Sequence, residues 1–297
     1  MSPFKLLIAC DADTDVAAIA ADLRRAGLPL EVHAVVLCVA DLLPIPETSD
    51  SAGKPAAVRK ARERTARALQ EMQLVADRAA ARFREVFPDW RIATEVQADA
   101  PAWAIVKKAD QWHADLIVLC SHNPSLLHRL LLGSVSQSVL THASGSVRIV
   151  RARRVEPTVA SRILVGMDGS PGAEAAAAAV AARSWPPGSE VMLLSVFDET
   201  LGSMLGFTDE SGDQPDVAAR LARRTAESLG RAGLIVSTAM VADGNPKDVL
   251  VKEADRWDAT CLFVGARGLR AVDRFLLGSV SASVAARAHC SVEVVRQ

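Results

Sequence analysis

The stretch GARGLRAVDRFLLGS, residues 265–279, decides the fold of this chain. It opens with two glycines, Gly265 and Gly268, and closes with the pair Gly278 and Ser279. The apolar run CLFVG that leads into it is typical of a short buried strand, and the residues after Gly278 favour a helix. In an open parallel sheet, ligands bind beyond the carboxyl ends of the strands. The stretch is therefore predicted to connect a buried strand to a helix at a ligand-binding edge.

The same unit occurs earlier in the chain in a changed form. Residues 120–134 read CSHNPSLLHRLLLGS and align with residues 265–279 at an offset of 145. Around them, KKADQWHA matches KEADRWDA, and RLLLGSVSQSV matches RFLLGSVSASV. The first strands also correspond, KLLIACDAD with RILVGMDGS, now at an offset of 157. The chain is therefore a repeat of two long units, of which the first has the longer middle.

Each repeat has the same order of predicted elements, β-α-β-α-β-α-β-α-β. In the first repeat, strands are predicted near residues 4–9, 31–39, 91–97, 115–120 and 146–150. In the second repeat, the predicted strands are RILVGM, EVMLLSVF, IVSTAMVA, CLFVG and SVEVV. This order predicts an α/β fold of two tandem three-layer α/β/α domains, each with a five-stranded parallel sheet.

Local signals place the helix ends and the boundary between the repeats. Ser170 with Pro171, and Asn245 with Pro246, combine a capping residue with proline at the first helical position. Gly233 is predicted to end the helix between them. The second helix of the first repeat is expected over about residues 54–86. The sequence RARRVEPTVA suggests a linker, which gives a first domain of residues 1–151, a linker of residues 152–160 and a second domain of residues 161–297.

Composition excludes several classes of function. The 297 residues have a formal net charge of −1, without the basic excess of a nucleic-acid-binding protein. The five cysteines are odd in number and lie mostly in apolar runs, which favours free thiols in a reducing compartment. No apolar run has the length of a membrane span, and the N-terminal apolar run is too short for a signal peptide. A cytoplasmic protein without a membrane or nucleic-acid partner is expected.

The opening stretch has the layout of a nucleotide phosphate site. Without a Cβ atom, Gly265 and Gly268 allow the backbone to approach a ribose and phosphates closely. Gly278 and Ser279 begin a helix, whose free N–H groups and positive dipole end favour an anion. The chain contains no GxxxxGK[ST], and the glycines of GMDGSPG are not spaced as in GxGxxG. Glycines after a strand are also ordinary turn residues, so the spacing alone leaves both interpretations open.

The pattern G-x2-G-x9-G-[ST], together with an aspartate after the first strand, resembles the ATP-binding motif of the universal stress protein family. Gly265, Gly268, Gly278 and Ser279 match this motif, and VGMDGS resembles the first strand and turn of the family. The resemblance covers nearly the whole chain as two tandem copies. It implies the fold of that family, which is Rossmann-like and of the adenine nucleotide alpha hydrolase type.

The resemblance also implies roles for single residues. Asp168 would lie beside the adenosine, and Val196 would present its backbone to the edge of the adenine. Gly265 and Gly268 would hold the ribose and the α-phosphate. The outer phosphates would be bound by backbone N–H groups of three further residues, Gly278, Ser279 and Val280. Two loop arginines, Arg267 and Arg270, could add positive charge, although loop arginines are usually only solvated.

The ligand implied is ATP, with ADP or AMP as alternatives and Mg²⁺ as an accompanying ion. By resemblance, the protein is expected to be a stress-response regulator in which the nucleotide is a conformational ligand. One alternative is a slow ATPase or an autokinase that uses Ser279 or a neighbouring serine. Another is a structural stress factor that needs no nucleotide. The motif contains no His or Lys, and the chain has neither GxSxG nor HExxH, so no catalytic residue is assigned.

The first repeat retains only part of the motif. Asp11, Val39, Gly133 and Ser134 are present, but Cys120 and Asn123 replace the two loop glycines, and Pro124 follows. Side chains at these positions narrow the crevice, so the first domain is predicted to bind ATP weakly or not at all. Cys120, His122, His128 and His142 match no established zinc spacing, and no metal site is predicted.

The fifth strands, in SVRIVR and SVEVVR, are expected to meet at the boundary between the domains, because domains of this family commonly dimerise by that edge. The chain would then be an intramolecular pseudo-dimer, and it could also form a homodimer. Protein partners are expected, but the sequence does not identify them.

Overall fold

The computed structural model describes residues 3–11, 13–42, 56–120, 132–151, 160–196, 214–241, 244–268 and 277–297. In the first domain, the elements are β1 (Phe4–Ala9), α1 (Asp13–Leu23), β2 (Val32–Asp41), α2 (Ala56–Val86), β3 (Arg91–Asp99), α3 (Pro101–Trp112), β4 (Leu116–Cys120), α4 (Ser134–His142) and β5 (Ser146–Val150). In the second domain, they are β6 (Arg162–Met167), α5 (Pro171–Ala181), β7 (Glu190–Val196), α6 (Gln214–Arg231), β8 (Ile235–Val241), α7 (Pro246–Arg256), β9 (Cys261–Gly265), α8 (Ser279–Arg287) and β10 (Ser291–Val295).

The strands form a single sheet in the order β3-β2-β1-β4-β5-β10-β9-β6-β7-β8. Within each domain the five strands are parallel. The fold class predicted from the sequence is therefore confirmed. In each domain the strand order reverses at the first strand, so the crevices of the two domains lie beyond the carboxyl ends of β1 and β4, and of β6 and β9.

The predicted helix ends in the second domain are confirmed. The Ser170 side chain accepts a hydrogen bond from the backbone N–H of Ala173, at 3.1 Å, and Pro171 begins α5. Asn245 caps α7 in the same way, accepting from Lys247 N at 3.0 Å. Gly233, at φ +83°, follows the end of α6 in the left-handed conformation that favours glycine.

The two domains meet where β5 pairs with β10, the one antiparallel contact in the described sheet. The register places Ile149 opposite Val292 and Val147 opposite Val294. The expectation that the fifth strands meet is confirmed, and their pairing joins two five-stranded sheets into one of ten strands. This pairing is called the seam below.

The two faces of the sheet are packed differently. Helices α3, α4, α7 and α8 cover one face, where apolar residues of both domains form one continuous core that includes Ile105, Leu140, Leu250 and Val284. On the other face, α1 and α2 pack on a core of the first domain, and α5 and α6 pack on a separate core of the second. No described helix is both long enough and apolar enough to span a membrane.

Candidate functional site

The predicted site residues of the second domain lie at the carboxyl ends of three neighbouring strands. Val196 ends β7, Asp168 follows β6, and Gly265 ends β9, in the strand order β7-β6-β9. The ladder between β6 and β7 runs as far as Met167 opposite Ser195. Val196 therefore lies one residue beyond the last β6 partner, and its half-buried side chain packs against the core. Its backbone is at the open end of the crevice.

Asp168 is held in place by the turn that it begins. Its Oδ1 accepts a hydrogen bond from the backbone N–H of Ser170, at 2.9 Å, while the residue itself is exposed. Its Oδ2 lies against Gly268, where an added Cβ atom would approach it to 2.5 Å. Gly268 is thus the residue that leaves room for the Asp168 carboxylate. The structure brings these two predicted site residues into direct contact.

Gly265 has a packing partner that the sequence did not indicate. A Cβ atom added there would lie 2.6 Å from the carbonyl oxygen of Gly172 and 2.8 Å from its Cα. A Cβ atom added at Gly172 would in turn lie 2.5 Å from the carbonyl oxygen of Arg267. Real side chains do not tolerate such approaches to backbone, so both positions require glycine for the start of α5 to pack on the end of β9. The ligand contact expected at Gly265 stays a prediction.

The start of α8 is tied to the end of β9 by backbone. Gly278 N–H donates to the carbonyl oxygen of Ala266 at 2.8 Å, and a Cβ atom at Gly278 would lie 3.1 Å from that oxygen. The first hydrogen bond of the helix runs from Ala282 N–H to Gly278 O, at 2.9 Å. The N–H groups of Ser279 and Val280 therefore precede the first helical hydrogen bond, and they provide donors of the kind that bind anions at a helix start.

Ser281 is a structural residue of the site that sequence reasoning missed. Its Oγ donates to the carbonyl oxygen of Gly265 at 2.6 Å, and its side chain is buried. A signal for it was present, because the segment SVS occurs after the Gly in both repeats. This bond packs the start of α8 against the end of β9. Ser281 holds α8 in register with the strand end that carries the glycine loop.

Positive charge lies beside the loop. Burial lowers the pKa of Arg296, and the nearby charge of Arg267 lowers it further. The carbonyl oxygen of Arg267 accepts a hydrogen bond from Ser170 Oγ at 3.3 Å. Arg296 follows β10 and was not predicted to belong to this region. Arg270, the second loop arginine considered from the sequence, lies outside the described residues.

The equivalent crevice of the first domain is lined by two retained motif residues and by helix α2. A cavity of about 310 Å³ is bounded by the strand ends at Asp11 and Val39 and by α2 residues that include Arg64 and Met72. Behind it, the thiols of Cys10 and Cys38 are buried with their Sγ atoms 3.8 Å apart.

Several positions singled out in the first repeat can be placed. Cys120 ends β4 and is half-buried, and Gly133 precedes α4, which starts at Ser134. The imidazole Nδ1 of His142 lies 2.8 Å from the carbonyl oxygen of Ser138 in the same helix. The remaining loop positions, His122, Asn123, Pro124 and His128, lie outside the described residues.

Comparisons with known proteins match both halves of the chain to the same family. The sequence profile of the universal stress protein family matches residues 6–151 and again residues 160–296. A universal stress protein of Mycobacterium tuberculosis is 30% identical over 210 residues, which cover 69% of this chain and 69% of that protein. One from Thermus aquaticus is 32% identical over 136 residues, or 45% of this chain and 97% of the shorter protein.

A solved structure shows the same architecture. The universal stress protein from Archaeoglobus fulgidus aligns with a TM-score of 0.63 at 23% sequence identity, over 99% of this chain and 96% of that one. At this identity the likeness concerns the fold. The family profile, which matches both halves, and the sequence relatives show that this chain belongs to the universal stress protein family, with two tandem copies of its domain.

Proposed function

We propose that this protein is a stress-response regulator that binds ATP or ADP in the crevice of its second domain. The observation that carries the proposal is the convergence of an acceptor and a set of donors at one sheet edge. The Asp168 carboxylate lies against Gly268. The bond from Gly278 N–H to Ala266 O holds the start of α8 at the same edge, where the N–H groups of Ser279 and Val280 are donors. A nucleotide offers hydroxyl hydrogens at one end and phosphate oxygens at the other, and it matches this order.

Each described residue would have a distinct task. The N–H groups of Ser279 and Val280 would donate to the outer phosphates, and the helix dipole would favour their charge by about 0.3–1 kcal/mol. Asp168 would accept from a hydroxyl group of the nucleoside. The backbone of Val196, beyond the β6 ladder, would meet the edge of the base. Mg²⁺, when bound with ATP, would neutralise part of the phosphate charge.

Regulation would follow if the bound nucleotide connects two elements of the second domain. A nucleotide held by Asp168 and by the start of α8 would join the β6 turn to that helix through the ligand. A ligand shifts a conformational equilibrium only by its different affinities for the two states. The regulatory effect would therefore be as large as the difference in ATP affinity between the bridged and unbridged arrangements, and partner proteins would respond to that difference.

The first test is direct analysis of the purified protein. It would be denatured, and the released supernatant analysed for ATP, ADP and AMP. The stripped protein would then be titrated with ATP by calorimetry. One nucleotide per chain is expected, because the second repeat alone has both loop glycines. If no nucleotide is released and the titration with ATP produces no binding heat, the proposal is wrong. Two nucleotides per chain would overturn the assignment to the second domain alone.

Three variants test where the nucleotide binds. Gly278→Val introduces bulk 3.1 Å from Ala266 O and should abolish ATP binding, whereas Gly133→Val, at the matching position of the first domain, has no atom within 4 Å of its Cβ and should not. Asp168→Asn keeps the size of the side chain and an oxygen for Ser170 N–H, and should weaken binding without unfolding the protein. Circular dichroism would verify the fold of each variant.

Assays of ADP release and of phosphate incorporation with the same purified protein test the enzymatic alternatives. Sustained ADP release that is lost in Asp168→Ala would assign a slow ATPase. Incorporation of labelled phosphate that is lost in Ser279→Ala would assign an autokinase. Bound nucleotide with neither activity supports the regulatory proposal.

A further inference from the structure

The seam contains a buried chain of four alternating charges. Arg148 on β5 donates from Nε to Asp22 Oδ2 at 2.6 Å and from Nη2 to Asp22 Oδ1 at 3.1 Å. Its Nη1 donates to Glu293 Oε2 on β10 at 3.1 Å. The other oxygen of Glu293 accepts from Arg183 Nη2 at 2.5 Å. Arg148 and Glu293 are each only 1% exposed.

The central guanidinium stays charged in this setting. Burial by itself lowers the pKa of Arg148, but the carboxylates of Asp22 and Glu293 outweigh that effect and raise the pKa well above its usual value. Two charged groups are thus in contact across the boundary between the domains, on the sheet face where the two domain cores are separate. Breaking such a buried pair by removing one partner is strongly destabilising, because the other charge is left without compensation.

The repeat places Arg148 and Glu293 at equivalent positions. They are 145 residues apart, which is the offset between the two repeats in this region. The register sets them opposite each other, and the flanking pairs, Ile149 with Val292 and Val147 with Val294, exchange under the same offset. Arg148 and Glu293 therefore face each other across the pseudo-twofold axis that relates the domains.

The ends of the seam keep this symmetry. Arg151 N–H donates to Ser291 Oγ at 3.1 Å, and Arg296 N–H donates to Ser146 Oγ at 3.1 Å. These two bonds are related by the same offset of 145, because Arg151 corresponds to Arg296 and Ser146 to Ser291. The hydrogen bonds at the two ends of the seam are therefore related by symmetry, whereas the central pair combines a positive Arg148 with a negative Glu293.

This asymmetry has an electrostatic consequence for pairing. If a β5 edge met another β5 edge in this register, Arg148 would face a second Arg148, and its Nη1 would lose the Glu293 acceptor. If a β10 edge met another β10 edge, two Glu293 carboxylates would face each other. The intradomain partners, Asp22 and Arg183, would still be present, but the contact on the axis would change from attraction to repulsion inside a low-dielectric interior.

We propose that the Arg148–Glu293 contact makes the fifth-strand edges selective, so that the β5 edge accepts a β10 edge and rejects a second β5 edge. The partner can be the second domain of the same chain or that of a second copy, provided that it brings the buried carboxylate. The sequence signal is the difference between SVRIVR and SVEVVR at one position. This selectivity of the edges does not depend on nucleotide binding.

Charge reversal in the full chain tests the selectivity. Arg148→Glu leaves three carboxylates and one guanidinium in the buried chain, and Glu293→Arg leaves the reverse. Each variant should lose roughly 10 °C in Tm or more, as expected for a broken buried pair in a chain of this size. The double variant Arg148→Glu/Glu293→Arg restores opposite charges at the contact between the domains and a net charge of zero in the chain of four, but it sets like charges against Asp22 and Arg183. It should therefore melt above both single variants and below the native protein.

A matched control uses an exposed pair in the same domain. Arg287 and Asp248 join α8 to α7 at 2.6 Å, with side chains 42% and 45% exposed. The single and double charge reversals of this pair should leave Tm nearly unchanged, because exposed pairs contribute little. If the seam variants behave like this control, or if the double variant melts no higher than the worse single variant, the proposal is wrong.

Mixing tests the same idea between chains. The Glu293→Arg chain keeps Arg148, and the Arg148→Glu chain keeps Glu293, so an equimolar mixture that is unfolded and refolded together can form a native seam between two chains. Light scattering after size exclusion should show a two-chain species that neither variant forms alone. A mixture that shows only the species of its components would overturn the selectivity. If either reversal variant does not fold, Arg148→Gln, Glu293→Gln and their double variant replace the reversals, and additive losses of Tm would overturn the proposal.

Discussion

Gly172 and Gly265 are in backbone contact, so that neither position has room for a side chain. The Cβ of an alanine at Gly265 would lie 2.6 Å from the Gly172 carbonyl oxygen. This contact sets the start of α5 against the end of β9, and Asp168 lies on the turn that leads into α5. The shape of the crevice thus depends on a glycine pair before any ligand is considered.

Gly265→Ala and Gly172→Ala are expected to lower the free energy of unfolding by about 1–3 kcal/mol or more, because backbone must move to admit the methyl group. Urea unfolding followed by circular dichroism measures this loss. Gly230→Ala is the control, since it lies in helix α6 with no atom within 4 Å of its Cβ. It should stabilise the protein by about 0.5–1 kcal/mol. Equal stability of Gly265→Ala and the native protein would contradict the packing role.

Ser281→Ala is expected to cost about 1–2 kcal/mol, because it removes the donor to Gly265 O in a buried setting. Ser283→Ala, two residues along the same helix, removes only a 3.4 Å contact with Arg287 and should cost less than 0.5 kcal/mol. The comparison uses the same urea titration. Both substitutions gain helix propensity equally, so similar changes in the two variants would contradict the role of the Ser281 bond.

Arg151 caps a helix of the opposite domain. Its Nη2 donates to the carbonyl oxygens of Ala285 and Ala286 at the end of α8, at 2.8 and 2.9 Å. Arg296 makes the corresponding bond to Leu140 O at the end of α4, at 2.5 Å. A cation at a helix C-terminus is favourable both for its charge and for its hydrogen bonds.

Arg151→Met and Arg296→Met are each expected to lower the free energy of unfolding by about 1–2 kcal/mol. Differential scanning calorimetry gives the change. Arg82→Met, on the exposed face of α2, removes an exposed ion pair with Glu85 and should change stability by less than about 0.5 kcal/mol. Losses no larger than that of the control would exclude the capping role.

Burial raises the pKa of the Cys261 thiol, against a smaller opposing effect of Arg148. The folded state therefore retains its proton at pH values where the unfolded chain, with a cysteine pKa of about 8.5, has lost it. Its contribution to stability is complete below that pH and declines as pH rises towards the folded pKa. Unfolding midpoints measured between pH 8 and 10 should fall less steeply in Cys261→Ala than in the native protein. Identical slopes would contradict the assignment.

The sequence predicted most of what depends on neighbouring residues. Cap signals at Ser170 and Asn245 and the apolar run of each strand are local, and the corresponding elements are found where they were expected. Because parallel strands place their carboxyl ends together, Asp168 and Gly268 were also predicted at one edge. Their direct contact depends on the turn geometry, which no spacing rule supplies.

Apart from the meeting of the two fifth strands, which the family resemblance implied, contacts between distant segments were not predicted. Gly172 belongs to GMDGSPG, and nothing in that stretch indicates that the start of α5 contacts the end of β9. The sequence marks Arg148 and Glu293 only as residues of the fifth strands. Their opposite charges at one repeat position were visible, but the meaning of that difference depends on the antiparallel register of β5 and β10.

The core beneath α3, α4, α7 and α8 is shared by both repeats, so the two repeats are not expected to unfold separately. Ile149 and Val292 belong to that core together with Leu7 of the first domain and Leu194 of the second. If one half unfolded, apolar surface of the other half would be exposed to water. Calorimetry of the native chain should therefore record one cooperative transition, in which both repeats melt together.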